Sequence, residues 1–225
     1  MKLRESEPAE KVALLLFDEE SIYPESFKPN PDTPIKIEIL KYHAEFLKNQ
    51  VKKLSQGGYT KVIIANFGAI QSYYGDKIHQ TQGSPSCLPI LPILQGYFQE
   101  NLVGCEVVLD PITTRDIYAN QTDGGVRPAG KSYLLSLREQ YGHSEEKESE
   151  SKRSNWGFIG DTSRVSLLYM YAHRVADLHP NAKEIHIAVF NNNPSPLIDI
   201  SDFYSENTML LPKNCEVELF EYSDT

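Results

Sequence analysis

The sequence has few cysteines, no long apolar run and no excess of basic residues. Its three cysteines, Cys87, Cys105 and Cys215, form no CxxC pair, which excludes a disulfide framework and makes structural zinc a poor expectation. The 22 basic residues are outnumbered by 31 acidic ones, giving a net charge of -9, so nucleic acid is not an expected partner. Neither a signal-peptide core nor a membrane-spanning run is present, and we expect a soluble chain without a transmembrane segment.

Short apolar runs alternate with segments of helical periodicity along the chain. This alternation predicts an α/β domain over residues 1–225, with a mostly parallel sheet of about five strands and helices on both faces. We expect loop insertions at 67–87 and 110–130, and a mobile polar loop at 142–154. The predicted strands are 11–17, 61–66, 106–109, 184–190 and 216–222, and the predicted helices are 35–54, 88–102, 131–141, 163–178 and 197–204.

Polar residues follow several of the predicted strands. Asp18 comes directly after the first strand, with Glu20 two positions on, Asn66 ends the second, and Asn191 and Asn192 follow the fourth. The carboxyl ends of parallel strands meet at one edge of a sheet, so these groups are expected to converge there. One acid of the first pair can act as a nucleophile and the other can transfer protons. The structural alternative for Asp18 is a capping acid after the first strand, and the alternative for Asn191 and Asn192 is a simple turn after the fourth strand.

Several segments resemble the haloacid-dehalogenase-like (HAD-like) superfamily. The run from Leu14 to Ile22 is similar to its first motif, an apolar strand followed by Asp-x-Asp, with Glu20 in place of the second Asp. Further segments resemble, in the same order, HAD-like proteins of Legionella, many of which are thought to be secreted effectors. These are residues 62–75, 84–89 (Ser-Pro-Ser-Cys-Leu-Pro), 115–120 (Arg-Asp-Ile-Tyr-Ala-Asn), 161–176, 190–193 and 210–222.

The resemblance implies a HAD-like Rossmannoid three-layer sandwich with a phosphatase site. Asp18 would be the nucleophile that forms an aspartyl-phosphate, and Glu20 would replace the general acid/base. Asn66 would replace the Ser or Thr that donates to the phosphoryl group. Arg164 aligns with the lysine that offsets charge at the site, and Lys131 is a rival for that role.

The implied cofactor is Mg²⁺, and its expected ligands are Asp18, Glu20, Asn191 and Asn192. Asparagine oxygens supply no charge, so the site is expected to hold Mg²⁺ weakly or to have lost it. The first hypothesis is therefore a degenerate phosphatase, a HAD-like effector that binds a host protein or retains weak phosphohydrolase activity. The alternative is an active Mg²⁺-dependent phosphatase with a phosphorylated substrate, and an unrelated scaffold is the third. An effector would reach the host cytosol without an N-terminal signal peptide.

Overall fold

The computed structural model of the protein describes residues 10–18, 32–68, 90–110 and 161–221. Their strands form one parallel sheet in the order β3-β2-β1-β4-β5. The strands are β1 (Lys11–Phe17), β2 (Lys61–Asn66), β3 (Glu106–Leu109), β4 (Glu184–Asn191) and β5 (Cys215–Glu221). The helices are α1 (Ile35–Tyr42), α2 (Ala44–Gly57), α3 (Leu91–Asn101), α4 (Asp161–Leu178) and α5 (Pro194–Glu206), followed by a 3-10 turn at Thr208–Leu210. The predicted α/β class and parallel five-stranded sheet are confirmed.

The three central strands are buried on both faces, which explains why they are almost continuously apolar. In β1, every residue from Val12 to Leu16 is fully buried, and β2 and β4 show nearly the same pattern. Strands that are covered on both sides need apolar side chains at both odd and even positions. β5 lies at an edge of the sheet and instead alternates Glu with apolar residues, and all its residues are at least partly exposed.

The helices cover the two faces of the sheet as separate layers. One apolar cluster joins the sheet to α1, α2 and α3 through residues such as Ile39, Leu47 and Phe98. The other joins it to α4 and α5 through residues such as Leu168 and Ile200. The described residues therefore form the three layers of a doubly wound, Rossmann-like α/β fold.

The predicted helix 35–54 is two helices, and the single-helix prediction was wrong. α1 ends before His43, whose φ of -94° and ψ of 13° depart from α-helical values, and α2 begins directly after it. The backbone remains hydrogen-bonded through this corner, since His43 N donates to Ile39 O at 3.0 Å and His43 O accepts from Leu47 N at 2.9 Å. Apolar periodicity continues across such a tight corner, so periodicity alone does not reveal it. α2 ends at the predicted glycines, with Gly58 in the left-handed conformation.

The predicted helix 131–141 and most of the three predicted loops lie outside the described residues. Among the helices of the described residues, none has both the length and the apolar character that crossing a membrane requires.

Candidate functional site

The strand order places Asp18 at the point where the sheet reverses its direction of growth. From β1 the chain proceeds outward through β2 and β3, and then returns to β4 on the other side of β1. In open parallel sheets, the crevice at the carboxyl ends of two such strands is where ligands usually bind. Asp18 follows β1 and Asn191 ends β4, and Asp18 N donates to Phe190 O at 3.2 Å. Asp18 and Asn191 therefore lie beside each other at this switch point, which is the candidate site.

Asp18 and Asn191 lie on the face of the sheet that α4 covers. The register aligns Phe17 with Phe190, and both rings belong to the cluster beneath α1, α2 and α3. Because side chains alternate along a strand, the next residue on each strand points to the opposite face. The two rings stack at a centroid distance of 4.8 Å, and they fix the end of β1 against the end of β4.

Arg164, near the start of α4, forms an ion pair with Asp18. Its Nη2 donates a short hydrogen bond to Oδ2 of Asp18. The Asp18 side chain is fully buried and that of Arg164 is 9% exposed. A buried carboxylate is costly unless a cation and hydrogen bonds compensate it, and Arg164 supplies the cation.

Asn191 donates a second hydrogen bond to the same oxygen. Its Nδ2 lies 2.9 Å from Asp18 Oδ2, and its Oδ1 accepts from the backbone N–H of Asn193 at 2.8 Å. These two bonds determine the orientation of the amide. A flipped amide would bring an oxygen against the carboxylate and an NH2 group against an N–H donor, and both contacts would become repulsive.

Asn66 lies at the same edge but on the other face of the sheet. The register aligns it with Phe17 and not with Asp18, so strand alternation directs its side chain toward the α1–α3 layer. Its Oδ1 accepts from Gly68 N at 2.9 Å. Its Nδ2 is buried, and within the described ranges it has no hydrogen-bond acceptor. Arg164 and Asn191 thus contact Asp18, whereas the side chain of Asn66 lies on the opposite face of the sheet.

The remaining predicted site residues are divided between the turn after β4 and the undescribed segments. Asn192 follows β4 and is half-buried. Asn193 is the N-cap of α5, since its Oδ1 accepts from Ser195 N at 3.0 Å. In this run of three asparagines, Asn191 contacts Asp18 and Asn193 caps α5. The interpretation of the run as a turn that leaves the strand therefore describes part of it. Glu20 and Lys131 lie outside the described residues.

The described donors do not fit a Mg²⁺ site. Magnesium favours carboxylate oxygens in octahedral geometry, and Asp18 is the one carboxylate that the described residues place in this cluster. Its Oδ2 already accepts from a guanidinium and an amide, and the Asn191 oxygen is turned toward a backbone N–H. Within the described ranges, His, Cys, Asp and Glu side chains form no group of three that could hold a metal ion.

Two contacts of α4 were not anticipated from the sequence. Tyr171 OH donates to Asn66 O at 2.8 Å, and Arg174 Nε donates to Asp110 Oδ2 at 3.1 Å. Together with Arg164, these side chains tie α4 to the ends of β1, β2 and β3. Tyr171 lies seven positions after Arg164, two helical turns along the same face, and this spacing was the available signal.

No protein-family model, curated protein or solved structure matches this chain. The HAD-like resemblance therefore rests on the sequence segments themselves.

Proposed function

We propose that this chain is a HAD-like protein with a degenerate phosphatase site, and that it acts by binding a partner. One observation carries the proposal: Arg164 and Asn191 both donate to Oδ2 of Asp18, the residue at the nucleophile position. A guanidinium and an amide compensate the carboxylate from within the protein. The resemblance implies that an active enzyme of this kind has both such a cation and a bound metal ion, whereas here the uncharged Asn191 stands where an acid would help to hold the metal.

The chemical consequence is a lower expected rate of phosphoryl transfer. Attack on phosphorus requires an accessible nucleophilic oxygen and positive charge near the phosphoryl oxygens. Here the guanidinium is committed to a buried ion pair, and Asn191 brings no negative charge with which to hold a divalent cation. Any remaining phosphohydrolase activity is therefore expected to be weak.

The proposed partner is a protein, and the likeness to secreted effectors makes a host protein our preferred class. This part of the proposal rests on the resemblance of segments such as 84–89 and 115–120, which lie outside the described residues. The net charge of -9 is compatible with a protein partner that carries a basic surface and argues against nucleic acid.

An active Mg²⁺-dependent phosphatase is the second candidate, and the ion pair itself favours it. A cation beside the nucleophile is what the resemblance implies for Arg164, and the pair lies at the switch point of the sheet. For turnover, Arg164 would have to release Asp18 when a phosphorylated substrate binds. The two candidates consequently differ in the freedom of the Asp18 carboxylate.

Hydrolysis of an aryl phosphate by the purified chain separates the two candidates. We expect the rate in the presence of Mg²⁺ or Mn²⁺ to stay within tenfold of the rate of Asp18→Asn, because the paired carboxylate of the wild type is at most a weak nucleophile. A metal-dependent rate at least tenfold above that of Asp18→Asn would overturn the degenerate-site proposal.

A further inference from the structure

A cavity opens at the edge of the sheet opposite to Asp18. It has a volume of about 390 Å³ and lies where β2 and β3 begin, between the ends of α2 and α3. Its walls include Leu54 and Leu102, which are buried, and the ring of Tyr59, while Val103 is fully exposed at the rim. All ten lining residues belong to the described part of the chain.

None of these ten lining residues carries a formally charged side chain. Cys105 and Tyr59 are its ionisable residues. Burial, and then the neighbouring Glu106, raises the pKa of the Cys105 thiol. Burial, and then the charge of Glu184, raises the pKa of the Tyr59 phenol. Both groups therefore remain neutral at physiological pH, and formal charges act on the cavity only from outside its lining.

The backbone makes this cavity electronegative. α2 ends at Gly57 and α3 ends at Asn101, and both ends border the cavity. A helix leaves about four carbonyls without an intrahelical partner at its C-terminus and carries a partial negative charge of about half a unit there. Neither helix has a basic residue in its last turn. The ends of both helices therefore border one apolar-walled cavity.

A lysine from β1 already shows how this corner accommodates a cation. Lys11 Nζ donates to Gly57 O at 3.3 Å and lies 5.8 Å from the centroid of the Tyr59 ring. The same ammonium lies 2.7 Å from Glu184 Oε2, so a carboxylate holds it together with a terminal carbonyl of α2 and an aromatic ring. The end of α3 lacks an equivalent lysine in its own last turn.

From the end of α3, the uncharged lining and the apolar walls together, we infer that this cavity binds an alkyl-guanidinium or alkyl-ammonium group. The cationic head would hydrogen-bond to carbonyls at the end of α3, and its aliphatic stem would pack on Leu54 and Leu102. A basic side chain of a partner protein and a free small amine present the same chemistry. This site is independent of the Asp18 cluster at the opposite edge.

Titration of the ¹⁵N-labelled chain with butylguanidinium tests the inference. The amides of Gly58 and Gly104 border the cavity and report binding, while Gly96, in the middle of α3, reports general effects. The end of α3 should favour the cation over neutral pentanol by roughly two- to fivefold in affinity. Failure of the cavity glycines to shift, or equal binding of pentanol, would overturn the inference.

A matched pair of variants at Asn101 tests the charge argument in the same assay. Asn101 is exposed and ends α3, so Asn101→Lys adds a competing ammonium there without disturbing the core. We expect Asn101→Lys to weaken butylguanidinium binding about two- to fivefold, because it compensates the end of α3. Asn101→Gln should bind like the wild type. Equal affinity of Asn101→Lys and Asn101→Gln would contradict the electrostatic basis.

A final comparison distinguishes the two sources of the cation. A short Gly/Ser peptide with one central arginine is compared with the same peptide carrying norleucine. Shifts of Gly58 and Gly104 with the arginine peptide alone support a side chain of a partner protein. Shifts with butylguanidinium but with neither peptide support a free small amine. If neither butylguanidinium nor the arginine peptide binds, the site does not exist.

Discussion

Replacement of Asn191 by aspartate tests how the Asp18 carboxylate is compensated. The wild-type amide donates to Asp18 Oδ2 at 2.9 Å, and in Asn191→Asp a carboxylate oxygen takes its place. Two unit charges at this separation repel each other by about 5–6 kcal/mol at an effective dielectric constant near 20, and the nearby Arg164 returns about 3–4 kcal/mol of attraction. Loss of a hydrogen bond to a charged acceptor adds about 1.5–3 kcal/mol. The net destabilisation is therefore about 2.5–6 kcal/mol.

Thermal and urea denaturation at neutral pH measure this effect directly. For a chain of this size, the expected loss corresponds to a decrease in Tm of roughly 5–24 °C. The deficit should shrink as the pH falls, because two neighbouring carboxylates raise the pKa of one of them and protonation removes the repulsion. Millimolar Mg²⁺ should restore part of the stability of Asn191→Asp and leave that of the wild type unchanged.

Asn193→Asp is the matched control, because it adds the same charge two residues away while aspartate retains the N-cap of α5. We expect it to be destabilised by less than about 1 kcal/mol. If Asn191→Asp is as stable as Asn193→Asp at neutral pH, then the Asn191 amide does not donate to Asp18 and our explanation of the site is refuted.

Four further variants test contacts of α4 and a buried histidine of β4. Arg164→Met should lower the free energy of unfolding by about 3–5 kcal/mol because it leaves a buried charge uncompensated, whereas Arg174→Met, which removes a 38% exposed side chain, should lower it by about 1–2 kcal/mol; equal losses in urea denaturation would refute this ranking. Tyr171→Phe should lower it by about 1 kcal/mol, since it removes the hydrogen bond to Asn66 O, and an unchanged urea midpoint would contradict that bond. Burial lowers the pKa of His186, so stability should decrease as the pH falls below about 6.5, where the unfolded histidine takes up a proton first. His186→Gln should flatten this part of the stability profile, and an unaltered profile would show that another group is responsible.

The bounds of the strands were predictable because buried strands are visible as continuous apolar runs in the sequence. β1, β2 and β3 have the predicted bounds, and β4 and β5 differ from the prediction by one residue at each shifted end. A strand that is covered on both faces must be apolar throughout, and that pattern is visible without the fold. The strand order was not predictable, because apolar runs do not specify which strands are neighbours.

The composition of the site could be predicted better than its geometry. The rule that chemistry gathers at the carboxyl ends of strands selected Asp18, Asn66 and Asn191 from the sequence. It did not reveal that Asn66 is aligned with Phe17 and follows the opposite face, since that depends on the register between β1 and β2. It also did not reveal that Asn191 presents its amide N–H to Asp18, because both bonds of that amide arise only after folding.

A crystal structure obtained in the presence of millimolar Mn²⁺, as a visible substitute for Mg²⁺, would test the central claim most directly. Our account predicts that Arg164 and Asn191 remain on Oδ2 of Asp18 and that no anomalous peak lies beside this carboxylate. A metal ion within about 2.2 Å of an Asp18 oxygen, with Arg164 displaced from it, would contradict the account and favour an active phosphatase.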